Sequence, residues 1–237
     1  MSGERRVVPP RPTLGASIRL AGEALYYNSG RFVGANLVFG AVVVAFLLAA
    51  SLGVVGYVVV VALVPPSVGV MSMATRYVRD GHVAFSDFGA GIRERFWRHL
   101  ALGIAQLALI VVALADALIG LAIGGVPGVA LTTLAVYALI ALWAFAVVAW
   151  PLILDPVRRD EPLRATFRVA LVLAVAQPIR MLMLATVIGV LLVLATLFIV
   201  VVLSFALALA FLIAALYVLP AADRLEDRAT LEVEPED

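Results

Sequence analysis

The sequence predicts an all-α protein that crosses a membrane several times as a polytopic helix bundle. Of its 237 residues, 64% are hydrophobic, and the mean hydropathy is +1.12. A water-soluble domain has too little polar surface to cover so many apolar side chains, so the excess must face lipid. The charges are also segregated, because residues 33–74 contain none and residues 101–153 contain only Asp116.

The first long apolar stretch, residues 32–75, is about twice the roughly 20 residues that one membrane-spanning helix needs. We therefore interpret it as two antiparallel spans that reverse at residues 51–53, "SLG", where glycine permits the turn. Pro65 and Pro66 predict a kink near the cytoplasmic end of the second span.

The remaining apolar stretches predict two further pairs of spans. The sequence "GGVPG" at residues 124–128 separates the third span from the fourth. Residues 181–220 would form a single helix of roughly 60 Å, so we divide them into spans five and six, with the reversal at residues 198–204. The predicted fold is thus six transmembrane helices in three hairpins.

The distribution of arginine predicts the orientation of these spans. All 17 basic residues are Arg, and a six-span arrangement places every one of them on the same face as both termini. The positive-inside rule makes that face cytoplasmic. An odd number of spans would place arginines on both faces. We therefore expect a multi-pass protein of a prokaryotic inner membrane with both termini in the cytoplasm.

Each predicted hairpin follows an amphipathic segment, at residues 14–32, 86–99 and 162–180. The first has Ile18, Ala21 and Leu25 on one face. The second, taken as one helix capped by Ser86, aligns Phe88, Ile92 and Phe96. Such helices lie in the headgroup plane with guanidinium groups toward phosphate. The predicted interfacial anchors are Arg31, Arg93, Arg95, Trp97, Arg98 and Arg180. Anionic lipid headgroups are therefore the predicted partner, and nucleic acid is not.

The same order of features occurs three times, at residues 13–82, 83–160 and 161–222. Either a threefold repeat or the ordinary alternation of apolar spans with basic loops produces this pattern. In both interpretations residues 13–222 form one integral membrane domain. A flexible segment, residues 1–12, precedes it, and an acidic cytoplasmic tail, residues 223–237, follows it.

Asp116 is the candidate polar site within the membrane, since it is the ionisable residue inside an apolar run. It lies about 24 Å along the helix from Leu100, which also fits a hydrated residue at the outer boundary. Hydrogen bonds between helices, or to the backbone of the residue's own helix, account for other polar residues in the spans, such as Asn36, Gln106 and Thr132.

The composition excludes several kinds of chemistry. The chain has no cysteine, which excludes disulfides, thiolate metal sites and cysteine nucleophiles. His82 and His99 are too few and too far apart for a histidine metal site. No nucleotide-binding, hydrolase or zinc-protease motif is present. We therefore predict no catalytic residue, no metal site and no cofactor.

The segments "VPPSVGVMSMATRYVRDG" and "VAFSDFGAGIRERFWRHL", together with the apolar residues around them, resemble the YesL-like family of bacterial polytopic membrane proteins. The family's proline step, basic cluster and basic aromatic helix would fall on Pro65, Pro66, Ser67, Gly69, Arg76, Arg79, Asp87, Phe88, Arg93, Phe96 and Arg98. The resemblance implies a membrane protein without an established reaction and an accessory role beside solute transporters.

Three functions remain open from the sequence. The leading hypothesis is a non-enzymatic accessory or scaffold subunit with a membrane protein partner. The alternative is a small transporter or channel that uses Asp116. The third is a membrane-embedded lipid enzyme, whose catalytic groups would come from Asp87, Glu94, His99, Asp155 and Asp160.

Overall fold

The computed structural model describes residues 13–51, 59–197 and 205–231, and this part of the chain consists of helices without any strand. The α-helices are α1 (Leu14–Tyr27), α2 (Ser29–Ala50), α3 (Val64–Asp80), α4 (Phe85–Arg93), α5 (Phe96–Ile123), α6 (Gly125–Ile153), α7 (Leu163–Ala176), α8 (Pro178–Leu197) and α9 (Leu207–Leu231). A 3-10 helix, Val59–Leu63, precedes α3, and another, Pro156–Arg158, follows α6.

Five segments of the described chain are long and apolar enough to cross a membrane, which confirms the prediction of an all-helical, multi-pass protein at this level. They are Ser29–Ala50, Phe96–Ile123, Gly125–Ile153, Pro178–Ala195 and Leu207–Asp227. The remaining predicted span comprises residues 52–58, which lie outside the described residues, then the first 3-10 helix and the beginning of α3. The predicted reversal at residues 198–204 and the N-terminal segment 1–12 also lie outside them.

Helix α3 forms the centre of the bundle and contacts α2, α4, α5, α6 and α9. Its buried residues are Pro66, Val68, Gly69, Val70, Met71, Ser72, Met73, Ala74 and Thr75. Pro65 and Pro66 lie in its first turn, directly after the 3-10 helix, where a missing N–H removes no helical hydrogen bond. Gly81 ends the helix with a positive φ of 72°.

A tight connection joins α5 to α6 and confirms the break predicted at residues 124–128. Gly124 and Gly125 have φ values of 65° and 60°, a backbone conformation that favours glycine. The two helices approach closely here, since a Cβ on Gly120 would lie 2.4 Å from Thr132 Oγ1. Thr132 Oγ1 donates to the carbonyl of Ala117 at 3.3 Å, which confirms an interhelical role for this residue.

The prediction of one continuous helix over residues 86–99 is wrong. Helix α4 ends at Arg93, Glu94 is extended, Arg95 has a φ of 50°, and α5 begins at Phe96. Ser86 is not the cap either, because α4 begins at Phe85 and Asp87 Oδ2 accepts the N–H of Ala84 at 2.7 Å. The break lets Glu94 and Arg95 reach separate ion-pair partners, which offset the strained backbone of Arg95.

Helix α1 packs on the bundle through a face that includes Ala21, one of the apolar residues expected to lie toward the membrane. Ser17, Ala21 and Ala24 are buried, whereas Ile18 is 39% exposed and Leu25 is half-buried. The helix packs on α9. Small side chains allow this close approach, so the face follows packing geometry and not hydrophobicity alone.

Helix α9 continues beyond the predicted start of the acidic tail. It includes Pro220 and runs to Leu231, so residues 223–231 are helical. Residues 232–237 lie outside the described part of the chain. At the other end of this helix, Asn36 Oδ1 accepts the N–H of Ala208 at 3.1 Å and is fully buried. This bond joins α9 to α2 and confirms the interhelical role expected of Asn36.

Candidate functional site

Most of the described charged groups lie together at one end of the bundle. They come from the last turn of α3, the segment around α4 and the start of α5, the connection after α6, and the C-terminal part of α9. We call residues 76–99, 154–161 and 223–227 the charged end of the bundle. Its ion pairs form two groups. The inner cluster consists of Arg79, Asp155, Arg158, Asp223 and Glu226. The outer cluster consists of Arg76, Asp87, Glu94, Arg95, Arg159 and Asp160.

Arg79 is the centre of the inner cluster. Its Nε donates to Asp155 Oδ1 at 2.9 Å, and its Nη2 makes a second, closer contact with Asp155 Oδ2. The same guanidinium donates to Asp223 through Nη1 at 2.6 Å and through Nη2 at 3.0 Å. Arg79 therefore joins the end of α3 to the residue after α6 and to α9, across 76 and 144 positions of sequence.

Arg158 is the second cation of the inner cluster, and its side chain is only 3% exposed. Its Nη2 donates to Glu226 Oε2 at 2.8 Å and to Asp223 Oδ1 at 3.2 Å, and its Nη1 also contacts Glu226. Asp155 lies between the two arginines, and its side chain has no exposed area. Its Oδ1 also accepts the N–H of Val157 at 3.1 Å, which caps the second 3-10 helix.

Both inner arginines are held in the charged form. The hydrogen bond to Asp155 raises the pKa of Arg79 by more than burial lowers it. Burial lowers the pKa of Arg158, but the hydrogen bond to Glu226 and the charges of Glu226, Glu161 and Asp155 together raise it by more. With three carboxylates against these two guanidiniums, the cluster is close to charge balance, as a buried group of this kind requires.

The outer cluster fixes α4 and the beginning of α5 to their neighbours. Arg76 contacts Asp87 Oδ1 at 3.3 Å and Glu94 Oε1 at 3.0 Å. Arg159 contacts the same Glu94 oxygen at 3.6 Å. Between the clusters lies a pocket of about 30 Å³, lined in part by His99, which is 6% exposed. A pocket of this size holds about one water molecule and not a lipid substrate.

The structure brings four of the predicted anchors to the α4–α5 break and leaves two elsewhere. Arg93 is exposed, and Trp97 is 78% exposed with its ring edge-to-face on Phe96. Arg95 pairs with Asp160 at 3.2 Å, and Arg98 is half-buried.

The other two anchors lie on different helices. Arg31 is exposed on α2 and donates to Asn28 Oδ1 at 3.1 Å. Arg180 is exposed on α8 and lies 3.3 Å from Gln177 Oε1. Among the described residues, no carboxylate forms an ion pair with Arg31, Arg93 or Arg180.

Asp116 is half-buried on α5, seven residues before the helix ends at Ile123. The described part of the chain provides no ion-pair partner for it. It also does not line the cavity between the spans. The structure therefore leaves Asp116 apart from both the charged end and the cavity.

A cavity of about 270 Å³ lies among α3, α5, α6, α8 and α9. Its lining is apolar except for Ser67, Gln106 and the indoles of Trp143 and Trp150. Trp150 Nε1 donates to Gln106 Oε1 at 2.6 Å, and Trp143 Nε1 donates to the carbonyl of Ala185 at 2.9 Å. Neither the cavity nor its polar pair was predicted, because residues 44 positions apart on two helices give no local signal.

In the described part of the chain, no group of three or more His, Asp or Glu side chains has the arrangement of a metal site. No protein-family model, no curated protein and no solved structure matches this chain.

Proposed function

We propose that the protein is a non-enzymatic scaffold or accessory subunit of a prokaryotic inner membrane. The observation that carries this proposal concerns the carboxylates of the charged end. Asp87, Glu94, Asp155 and Asp160, which a lipid enzyme would need, each form an ion pair with an arginine. The carboxylates of Asp87, Glu94 and Asp155 are held by guanidinium groups, and the described pocket that Glu94 and Asp155 line is too small for a lipid substrate. This arrangement favours a structural role for the charged end.

We further propose six membrane crossings in three hairpins, with the charged end and both termini in the cytoplasm. Direct contacts of Arg79 and Asp155 with each other, and of Arg79 with Asp223, support this topology. Arg79 lies in the last turn of α3, Asp155 lies just after α6, and Asp223 lies in the C-terminal part of α9, so the three helices run in the same direction toward one face. Each is then the returning helix of a hairpin, and an even number of crossings follows.

The exposed arginines without carboxylate partners, Arg31, Arg93 and Arg180, are proposed to hold anionic headgroups. Each contributes about 1 kcal/mol near a negatively charged leaflet. The charges of the inner-cluster arginines are balanced by carboxylates of the protein itself, so these arginines are proposed to stabilise the fold. This division assigns the basic residues to two tasks that the sequence alone does not separate.

Cross-linking in native membranes, followed by purification in mild detergent, tests the scaffold proposal. We expect a second membrane protein in stoichiometric amount, retained by Asp116→Asn and lost from Asp155→Asn, because only the latter loosens the charged end. Recovery of the homomeric protein alone, or equal retention by both variants, would contradict the proposal.

The transporter alternative depends on Asp116 and is tested separately. The lining of the described cavity contains no charged side chain, so it offers no route for an ion. In proteoliposomes we expect no ion flux above the protein-free background. Flux that is abolished by Asp116→Asn would replace the scaffold proposal with transport.

A further inference from the structure

We propose that the 270 Å³ cavity binds one uncharged, apolar molecule that carries a carbonyl oxygen, and that the amide of Gln106 recognises this oxygen. The site lies within the bundle, about 15 Å along α5 from Phe96. It is separate from the charged end and from Asp116.

The size and lining of the cavity indicate an apolar occupant. An enclosed apolar cavity of about 150 Å³ is large enough to bind benzene, and ligand pockets begin near 300 Å³. Empty space of this size deprives the lining side chains of dispersion contacts. Water does not replace those contacts, because a buried water needs two to four polar partners and this lining is almost entirely apolar.

The hydrogen bond between Trp150 and Gln106 determines how the Gln106 amide is oriented in the lining. An indole Nε1 can only donate, so the Gln106 atom that lies 2.6 Å from it must be the oxygen. The amide is therefore oriented, and its Nε2 carries two N–H donors. No acceptor for Nε2 is present among the described residues. An unpaired donor in apolar surroundings is costly, so the site favours a ligand with an acceptor oxygen.

The other polar groups of the lining do not compete for this role. Ser67 Oγ donates to the carbonyl of Leu63 at 2.7 Å, and Trp143 Nε1 is engaged with Ala185. Because the described lining contains no cation or anion, a charged ligand would lie there uncompensated. The ligand is therefore an uncharged carbonyl compound, such as an ester or a quinone.

Quenching of tryptophan fluorescence tests the proposal directly, because Trp143 and Trp150 both line the cavity. The purified full-length protein carries Trp97→Phe, which removes the exposed third indole. The probe is the methyl ester of a bromo-fatty acid, and its control is a bromoalkane of equal length. We expect saturable quenching by both probes, with half-maximal quenching by the ester at a concentration about five to ten times lower than by the alkane. This ratio is the gain in affinity that one neutral hydrogen bond provides.

Three variants separate recognition by Gln106 from simple partitioning into the micelle. Gln106→Leu should weaken ester binding to the level of the alkane. Ala146→Leu fills the cavity and should weaken both probes, whereas Ala130→Leu, on the exposed side of α6, should affect neither. Equal binding of ester and alkane by the parent protein, or unchanged binding by Ala146→Leu, would overturn the proposal.

A second titration distinguishes the two sources of the carbonyl. A short-chain quinone also quenches indole fluorescence, and it is tested against the same variants. Tighter binding of the quinone assigns a ring ligand, and tighter binding of the ester assigns an acyl lipid. In either case loss of affinity in Gln106→Leu is required, and quenching by both compounds that is independent of Gln106 contradicts the assignment.

Discussion

At the scale of single residues, Asp155 is a buried carboxylate whose charge must be compensated by its neighbours. Asp155 and Asp223 each contact both Arg79 and Arg158, and of the two it is Asp155 whose side chain has no exposed area. Removing one partner of a buried ion pair leaves the other charges uncompensated, which costs more than the pair itself contributes. The pairing also determines where α3 and α6 end relative to each other, because Thr75 Oγ1 donates to the adjacent carbonyl of Leu154 at 3.0 Å.

We therefore predict that Asp155→Asn lowers the free energy of unfolding by about 3 kcal/mol. The variant preserves the shape of the side chain and removes its charge, so Arg79 and Arg158 keep Asp223 but lose the buried carboxylate between them. Denaturant titration in mixed micelles measures the change. Asp160→Asn is the matched control, since its side chain is 96% exposed and its pair with Arg95 should contribute at most about 0.5 kcal/mol. Equal effects of the two substitutions would show that the inner cluster is not stabilising.

The arginines without carboxylate partners lead to a prediction about lipid selectivity. Substitution of Arg93 and Arg180 by Gln should weaken the preference for phosphatidylglycerol over phosphatidylcholine about tenfold or more, at about 1 kcal/mol for each residue. Spin-labelled lipids bound to the reconstituted protein provide the measurement. Arg19→Gln is the control, because Arg19 is exposed but already lies 3.7 Å from Glu23. A loss of selectivity in the control equal to that in the double variant would contradict the assignment.

At the scale of helices, glycine determines how closely α4 packs on α3. A Cβ on Gly91 would lie 2.3 Å from Ser72 Cβ, and one on Gly69 would lie 2.6 Å from the ring of Phe88. These distances are too short for any side chain at either glycine, so the backbone of Gly91 lies directly against Ser72 and the backbone of Gly69 lies directly against the ring of Phe88. The outer cluster joins the same two helices, because Arg76 of α3 forms ion pairs with Asp87 of α4 and with Glu94, which follows α4.

We predict that Gly91→Ala lowers the free energy of unfolding by about 1–3 kcal/mol, because the new methyl group forces α4 away from α3. Gly89→Ala, two residues earlier in the same helix, meets nothing within 4 Å and should be neutral or stabilising by about 0.5–1 kcal/mol. Denaturant titration in micelles compares the two. Ser72→Gly should restore stability to Gly91→Ala, and failure of that rescue would show that the contact is not the cause.

The sequence predicted the helices better than it predicted their ends and contacts. Hydropathy identified the long apolar helices, and "GGVPG" identified the break at Gly124 and Gly125, because both signals are local. The break at Glu94 and Arg95 was missed, since the ion pairs that stabilise it come from distant residues. For the same reason Asp155 was noted as a charged residue, but its two arginine partners were not predicted.

At the scale of the whole molecule, the division of charge gives the bundle one polar end and one apolar end. The described connection between α5 and α6, at the apolar end, carries no charge, and Val126 in the first turn of α6 is 84% exposed. The connection between α6 and α7, at the charged end, contains Val157, which is 70% exposed. The sequence predicted this polarity from its arginines, whereas the direct contact of α3 with the connection after α6 and with α9 became evident only in the structure.

The proposed cytoplasmic placement of the charged end leads to a prediction that uses the absence of cysteine from the chain. A membrane-impermeant maleimide should label Val126→Cys in intact cells, because that connection would lie outside the inner membrane, once the reagent has passed any outer layer. Val157→Cys and Tyr27→Cys, both at exposed positions, should react only after the inner membrane is permeabilised. Each variant contains a single thiol, so the mass of the labelled protein reports one site. Labelling of Val157→Cys or Tyr27→Cys in intact cells would place arginine-rich segments outside, and it would contradict the proposed topology.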